Sequence, residues 1–298
     1  MKRLICLFAV VALTIFSASA QDAMVKKDYN LKNFRGLDIS STFYVSVEKS
    51  DTYSVSVSVS SDYAPYLDVK VTGGILSIGF KNLPKKLNLT GYVKSVAVAR
   101  VSMPSLERVS VSGAAKLISN DTFDLGDMPF QMSVSGIGEV EQLEVFGTDA
   151  KINLSGASKA NLFGDFIDID LEVSGTSRAT LTADAEDLVV KASGTATAEI
   201  EGEYEDVDFS TSGVSNITIK GKAKEMDVES SGTSSIDALN MPVNSAEVSL
   251  SGASVCKTYV LRELEAECTG ASTLSYKADD KISLDLKEIA RSATLKKL

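Results

Sequence analysis

From residue 109 to residue 276 the chain alternates apolar and polar positions around a repeated Ser-Gly or Thr-Gly dipeptide. The glycines of these dipeptides lie 18 to 23 residues apart, and four consecutive intervals are 19 residues long. A glycine-punctuated period near 19 residues is typical of a solenoid, in which each repeat forms one turn. We number each glycine as position 0 of its repeat. The nine glycines are Gly113, Gly136, Gly156, Gly175, Gly194, Gly213, Gly232, Gly252 and Gly270.

Apolar residues occupy positions −4 and +4 in every repeat, and in most repeats also positions −2 and +6. The residues between them are mostly polar, which is the pattern of a half-buried strand. Each repeat therefore predicts a strand, a tight corner at the glycine, a second strand and a polar return. A single repeat cannot bury its apolar side alone, so we expect the repeats to stack in parallel around one core.

This pattern predicts an all-β protein, a parallel right-handed β-helix or solenoid of about nine Ser-Gly-cornered coils. The right hand is expected because parallel crossover connections favour it. The solenoid repeats span residues 101–276. Residues 21–100 alternate without the dipeptide and are interpreted as an N-terminal β region or cap, with a hairpin at Gly73-Gly74. Residues 277–298, in which the alternation fades, are interpreted as a C-terminal cap that protects the last edge.

Residues 1–20 have the form of a signal peptide. Lys2 and Arg3 precede an apolar run from Leu4 to Phe16, and Ala18-Ser19-Ala20 is a small-residue cleavage site. The apolar run is shorter than the roughly 20 residues that span a bilayer, so no transmembrane segment is expected. The sequence thus predicts an exported protein in the periplasm, at the outer surface or outside the cell.

The charge balance narrows the class of partner. Cleavage after Ala20 removes Lys2 and Arg3 and leaves 28 basic and 40 acidic residues, a net charge of −12. Nucleic-acid binding relies on Lys and Arg that neutralise phosphates, so an acidic chain with few aromatic residues is not expected to bind nucleic acid.

Three segments ahead of the repeats resemble a known family. They are Leu37-Asp38-Ile39-Ser40-Ser41, the hairpin from Gly73 to Ile78, and Met103 to Glu107, which runs into Ser112-Gly113-Ala114. In this order the chain resembles the head GIN domain family of exported bacterial proteins, over about residues 33–275. The resemblance implies a β-helical fold related to pectin-lyase-like solenoids, no known catalytic residues, and a role as an autotransporter adhesin.

The two cysteines of the mature chain are a candidate disulfide. Cys256 at position +4 and Cys268 at position −2 both fall in inward columns of adjacent repeats. Exported proteins with an even number of cysteines favour disulfides. The alternative is a pair of small buried thiols, and the sequence leaves both open.

Two groups of carboxylates are candidate sites. Glu201, Glu203, Glu205, Asp206 and Asp208 suggest calcium, but they lack the Gly-rich Asp nonapeptide of calcium-binding β-rolls, which favours a solvated return loop. Asp165, Asp168 and Asp170 suggest a glycosidase pair, but outward acidic residues are scattered along the whole rod.

The chain contains no histidine, which excludes Ser-His and Cys-His mechanisms. We therefore predict no catalytic residues, no cofactor and no metal. The leading hypothesis is a non-enzymatic β-solenoid for cell-surface adhesion or ligand binding, with a glycan or protein partner at a cell surface. Self-association through the faces or ends of the rod is also compatible with the repeat. The alternatives are a glycan-active enzyme of the pectin-lyase type and a structural scaffold of the envelope.

Overall fold

The computed structural model of the chain describes residues 23–84, 87, 97–279 and 281–298. The predicted signal peptide lies outside these residues. Strands dominate the described residues, and a 3₁₀ turn at Ala64–Tyr66 lies in the N-terminal part.

The strands before the second repeat are β1 (Met24–Tyr29), β2 (Gly36–Ile39), β3 (Phe43–Lys49), β4 (Ser54–Ser60), β5 (Leu67–Thr72), β6 (Ile75–Phe80), β7 (Ala97–Met103), β8 (Arg108–Val111) and β9 (Lys116–Asp124). The strands of the next coils are β10 (Phe130–Val134), β11 (Glu139–Phe146), β12 (Asp149–Leu154), β13 (Lys159–Asp165), β14 (Asp168–Val173), β15 (Arg178–Asp184), β16 (Asp187–Ala192) and β17 (Thr197–Glu203). The last strands are β18 (Asp206–Thr211), β19 (Asn216–Lys222), β20 (Glu225–Ser230), β21 (Ser235–Leu250), β22 (Val255–Cys268), β23 (Thr273–Lys277), β24 (Ser283–Ile289) and β25 (Thr294–Lys297).

The strands stack into two sheets that face each other across one core. Sheet A holds the strand before each corner, for example β12, β14, β16, β18 and β20, paired in parallel and in register. Sheet B holds the strand after each corner, for example β13, β15, β17 and β19. The long strands β21 and β22 contribute their first halves to sheet B and their second halves to sheet A. The result is a β-solenoid, as predicted, with about ten turns where the sequence indicated about nine. Its right hand stays a prediction.

The inward columns match the alternation in the sequence. All residues at positions −4 and +4 are at most 3% exposed. Two coils deviate from the apolar pattern at position −2, where they have Thr211 and Ser230. Their hydroxyls bond to each other at 2.8 Å, and both bond to Ser234 at 3.0 and 2.7 Å. The hydroxyl of Ser234 donates to the carbonyl of Ser231 at 2.7 Å, so the buried hydroxyls are satisfied within the core.

Each corner glycine is required by two independent constraints. The nine glycines have φ between 67° and 77°, a conformation that costs a residue with a Cβ energy. A Cβ on any of them would also lie 2.4 to 2.8 Å from the carbonyl oxygen of the preceding corner. The corners stack this closely because the amide at position +1 donates to that same carbonyl, for example Thr195 to Gly175 at 2.7 Å.

The N-terminal coil uses a serine at its corner. Ser41 has φ 70°, and its carbonyl accepts the amide of Ala114 as a glycine carbonyl does in later coils. Strands β2 and β3 flank this corner and pair on one side with β8 and β9. On the other side they pair with β6 and β7, which come later in the chain than β2 and β3. The predicted hairpin at Gly73-Gly74 joins β5 to β6 and closes sheet A.

The two sheets meet again at the return from sheet B to sheet A, which we call the return corner. One residue per coil packs there, and large and small residues alternate along the stack as Leu125, Gly147, Phe166, Ala185, Tyr204 and Ala223. The large rings occupy space that glycine leaves free. A Cβ at Gly202 would lie 2.5 Å from the Tyr204 hydroxyl, and one at Gly164 would lie 3.2 Å from the Phe166 ring.

At the C-terminal end, β24 and β25 pair in parallel with β22 and β23 and extend both sheets. Leu284 and Leu286 continue the inward columns but are 41% and 43% exposed, because no further described coil covers them. The predicted domain limits at residues 100 and 276 stay predictions; the strand stack runs continuously across both.

Candidate functional site: an acidic face

The outward side of sheet A carries stacked rows of carboxylates. Because the strands are in register, residues one repeat apart lie directly above each other, about 4.8 Å apart. One row at position −7 consists of Asp149, Asp168, Asp187, Asp206 and Glu225. A second row at position −5 consists of Asp208, Asp227, Glu247, Glu265 and Asp285. We call the outward side of sheet A from β12 to β24 the acidic face.

Few basic residues interrupt the acidic face. The basic residues at its outward positions between β12 and β24 are Lys151, Lys191 and Lys287. Lys287 approaches Asp285 at 2.8 Å and Glu265 at 3.3 Å, near the C-terminal end. Lys151 approaches Asp170 at 4.0 Å. The −7 row and the part of the −5 row from Asp208 to Glu247 contain no basic residue.

Sheet B has a different charge pattern. Its outward residues carry both signs and form ion pairs between neighbouring coils, such as Lys116–Glu139 at 2.7 Å and Arg178–Glu199 at 2.7 Å. In the strand register Glu139 lies between Lys116 and Lys159, so the sign alternates across these three coils. Carboxylates lie on the outward sides of both sheets, in keeping with the sequence, but those of sheet A have fewer basic neighbours.

Crowding alters the titration of two carboxyls on the acidic face. Desolvation, with the adjacent Asp149 and Asp187 carboxylates, raises the pKa of Asp168. Desolvation, with Asp208 and Glu247 in the same row, raises the pKa of Asp227. In both cases negative neighbours disfavour the charged form. The face thus holds its negative charge against mutual repulsion, which a cationic ligand relieves.

The carboxylates weighed as a calcium site lie on different sheets. Glu201 and Glu203 lie on β17 in sheet B, and Glu203 pairs with Lys222 at 2.8 Å. Glu205 pairs with Lys224 at the return corner. Asp206 and Asp208 belong to the acidic face. Within the described residues no three or more carboxylates, cysteines or histidines converge on a point where they could hold a metal ion.

The residues weighed as a glycosidase pair are also separated. Asp165 ends β13 in sheet B, whereas Asp168 and Asp170 lie on β14 in sheet A. Asp168 and Asp170 are two neighbours on the outward side of a strand, where their rows continue into other coils. Nothing in their position distinguishes them from the other carboxylates of the acidic face.

Cys256 and Cys268 are both buried, and the structure holds them as free thiols. Serines at position +2 bond to residues at position −2 of the preceding coil, for example Ser158 to Val134 at 3.1 Å and Ser254 to Ser230 at 3.3 Å. Sheet B is therefore shifted toward the N-terminal end at this corner. Cys256 and Cys268 are not bonded to each other in the structure, and the candidate disulfide stays a prediction.

A sequence profile described as "Putative auto-transporter adhesin, head GIN domain" matches residues 33–201 and 171–279. The chain belongs to the head GIN domain family. This confirms the resemblance drawn from the three N-terminal segments and the Ser-Gly corners. The family is described by adhesion and not by an enzymatic activity. No protein of curated function matches the chain.

Crystal structures share the fold of this head GIN domain protein at low sequence identity. A protein of Parabacteroides merdae described as a putative adhesin is 17% identical, with a TM-score of 0.53 over 92% of this chain and 96% of its own. A protein of Parabacteroides distasonis, described in the same way, is 19% identical, with a TM-score of 0.50 over 93% of this chain and 97% of its own. No helix in the described part of the chain has the length and apolarity needed to cross a membrane.

The acidic face itself was missed at the sequence level. Its signal was present, because Asp149, Asp168, Asp187 and Asp206 stand at the same position of four successive repeats. When all polar positions are treated as one class, the difference in charge balance between the two sheets does not appear.

Proposed function

We propose that this protein is a non-enzymatic, exported binding protein that acts in adhesion at the cell surface and engages a cationic partner through the acidic face. The observation that carries the proposal is the segregation of charge: basic residues are few on the outward side of sheet A, whereas sheet B carries ion pairs between neighbouring coils. A regular, rigid array of one sign attracts an oppositely charged surface and steers it into register. The description of the family as adhesins supports the same role.

Solid-phase binding of the mature chain to arrays of glycans and extracellular-matrix proteins tests the proposal, together with adherence of a deletion strain. We expect binding to cationic targets that weakens as salt is raised from 50 to 500 mM, because the interaction is electrostatic. The deletion strain is expected to adhere less than its parent.

A matched pair of variants locates the binding surface. The first removes four carboxylates of the acidic face by Asp206→Asn, Asp208→Asn, Glu225→Gln and Asp227→Asn. The control removes four carboxylates of sheet B by Glu139→Gln, Glu141→Gln, Glu199→Gln and Glu201→Gln. Both change the net charge equally, so an effect of the local array predicts loss of binding in the first variant only. Equal loss in both, or adherence unchanged by deletion of the protein, argues against the proposed function.

A further inference from the structure

An apolar hollow of about 600 Å³ lies open at the return corner. Its apolar lining comes from Ala185, Tyr204, Ala223, Pro242 and Leu261. The hollow follows from the alternation of large and small residues, because Ala185 and Ala223 leave space on either side of the Tyr204 ring. Tyr204 is fixed there, since its hydroxyl donates to the carbonyl of Ala183 at 2.8 Å. Leu261, which is 41% exposed, forms the rim toward the C-terminal end.

The same corner shows how such a gap is filled elsewhere in this chain. Gly147 occupies the small position two coils before Ala185, and the segment from Leu125 to Met128 folds over it. A Cβ at Gly147 would lie 2.8 Å from the Met128 carbonyl oxygen and 3.7 Å from the Leu125 side chain. The amide of Thr148 donates to that carbonyl at 3.4 Å. A peptide turn with an apolar side chain thus packs over Gly147, whereas Ala185 and Ala223 line an open hollow.

The charges around the hollow indicate what could cover it. Two ion pairs flank it on opposite sides, Glu203 with Lys222 at 2.8 Å and Glu205 with Lys224. Glu186 adds a third carboxylate to the lining, so negative charge is in excess. Asp187 and Asp206 of the −7 row of the acidic face directly follow Glu186 and Glu205 in the chain. A ligand seated in the hollow therefore has carboxylates within reach on the side of sheet A.

We propose that this hollow is the docking site for a segment of a partner protein that carries an apolar side chain flanked by basic residues. The inference rests on the proposed function and names the chemistry of the partner. The apolar side chain fills the space beside Ala185 and Ala223, as the Leu125–Met128 segment does over Gly147. Basic residues on either side of it meet the carboxylates of the acidic face. The volume lies within the range of about 300–1,000 Å³ that is usual for binding sites.

Two synthetic peptides test the role of the hollow. One has the sequence Gly-Lys-Lys-Leu-Lys-Lys-Gly and the other has Ser in place of Leu; both are labelled, and binding to the full mature chain is followed by fluorescence anisotropy. We expect the Leu peptide to bind about tenfold more tightly, because burial of a Leu side chain is favourable by at least that factor. Leu261→Ser removes the apolar rim of the hollow and Ala223→Phe fills it, so each is expected to abolish most of this difference.

The control variant is Ile167→Ser. Ile167 lies at the same corner, is 47% exposed and does not line the hollow, so the preference for the Leu peptide is expected to stay. Circular dichroism and thermal melting establish that each variant is folded; Leu261→Ser changes only an exposed side chain and keeps the test decisive if Ala223→Phe misfolds.

The outcomes separate this inference from the proposed function. Equal binding of the two peptides overturns the hollow as a docking site while the acidic face stands, provided that the four-carboxylate variant of the acidic face loses both. Failure of both peptides to bind overturns both proposals. Displacement of the Leu peptide by phosphatidylcholine vesicles assigns the hollow to a lipid, and self-association that Leu261→Ser abolishes assigns it to a second copy; either result overturns the inference.

Discussion

At the scale of single residues, the corner glycines separate backbone strain from steric conflict. Gly213 has φ 73°, and a Cβ there would lie 2.6 Å from the Gly194 carbonyl oxygen. Gly73 has φ 59°, but a Cβ there meets nothing within 4 Å. We predict that Gly73→Ala costs about 1–2 kcal/mol, the strain of a left-handed residue alone. Gly213→Ala is predicted to cost about 1–3 kcal/mol more, because the stacked corners must also move apart.

Urea unfolding of the two variants and the parent measures this difference. Gly213→Ala should lower the unfolding midpoint clearly further than Gly73→Ala. Equal losses would mean that the contact between successive corners adds nothing and that glycine is needed at the corners for its φ alone.

The buried cysteines give a second prediction at this scale. Burial raises the pKa of Cys256 to about 12, so the native thiol is almost entirely protonated and a poor nucleophile at neutral pH. We expect the mature chain, purified without reductant, to show two reactive thiols in denaturant and almost none in the native state, measured with a chromogenic disulfide reagent. A count of zero in denaturant would instead establish the disulfide that the sequence left open.

At the scale of strands, the rows of the acidic face couple stability to pH. The folded-state pKa values of Asp168 and Asp227 are raised above the ordinary value of 3.8. A raised pKa means that the folded state binds protons more readily than the unfolded state. The stabilisation that such a carboxyl gives the folded state is therefore complete below its pKa in the unfolded state. It is lost as the pH rises through its pKa in the folded state. We predict that the melting temperature falls as the pH is raised from 4 to 7.

Thermal unfolding across this range in 50 mM salt measures the slope. Asp168→Asn with Asp227→Asn should flatten it, because the crowded carboxyls no longer titrate. Glu48→Gln, on the outward side of β3 in sheet B, serves as the control and should leave the slope unchanged. A melting temperature that rises between pH 4 and pH 7 would show that repulsion along the rows does not govern stability.

The strands also show why part of the fold was readable from the sequence and part was not. The corner, the strand before it and the strand after it repeat with one period, so the inward columns could be assigned from spacing alone. The N-terminal region has no such period. Strands β6 and β7 insert on the outer side of β2 and β3, out of chain order, and the corner residue there is Ser41 instead of glycine. Position in the sequence does not encode that insertion.

The acidic face and the hollow also differ in how far the sequence predicts them. The carboxylate rows recur at fixed positions of the repeat, so they were present in the sequence once the polar columns were separated by sign. The hollow beside Tyr204 could not be predicted from the sequence, because it depends on which small residues of the return corner the chain leaves uncovered. Only the packing of the segment Leu125 to Met128 over Gly147 shows what an occupied position looks like.

At the scale of the whole molecule, each coil contacts mainly its two neighbours, so the stack should tolerate deletions that keep its register. Deletion of residues 176–194 removes one coil of 19 residues and joins Gly175 to Thr195. It also removes Ala185 and places Phe166 next to Tyr204. In the parent protein the Tyr204 ring extends over the deleted coil, where its hydroxyl donates to the Ala183 carbonyl. Deletion of residues 157–194 removes two coils and restores the alternation, because Gly147 then lies next to Tyr204.

We therefore predict that the longer deletion gives the more stable protein, although it removes twice as much chain. Circular dichroism should show β structure with a cooperative melt for both deletions, with the higher melting temperature for the two-coil variant. A deletion of residues 176–185, which is about half a coil, is the out-of-register control and should not fold, because it moves inward residues to outward positions. A one-coil variant as stable as the two-coil variant would mean that the return corner accepts adjacent aromatic rings, and the space beside Ala185 and Ala223 would then not be set by their size.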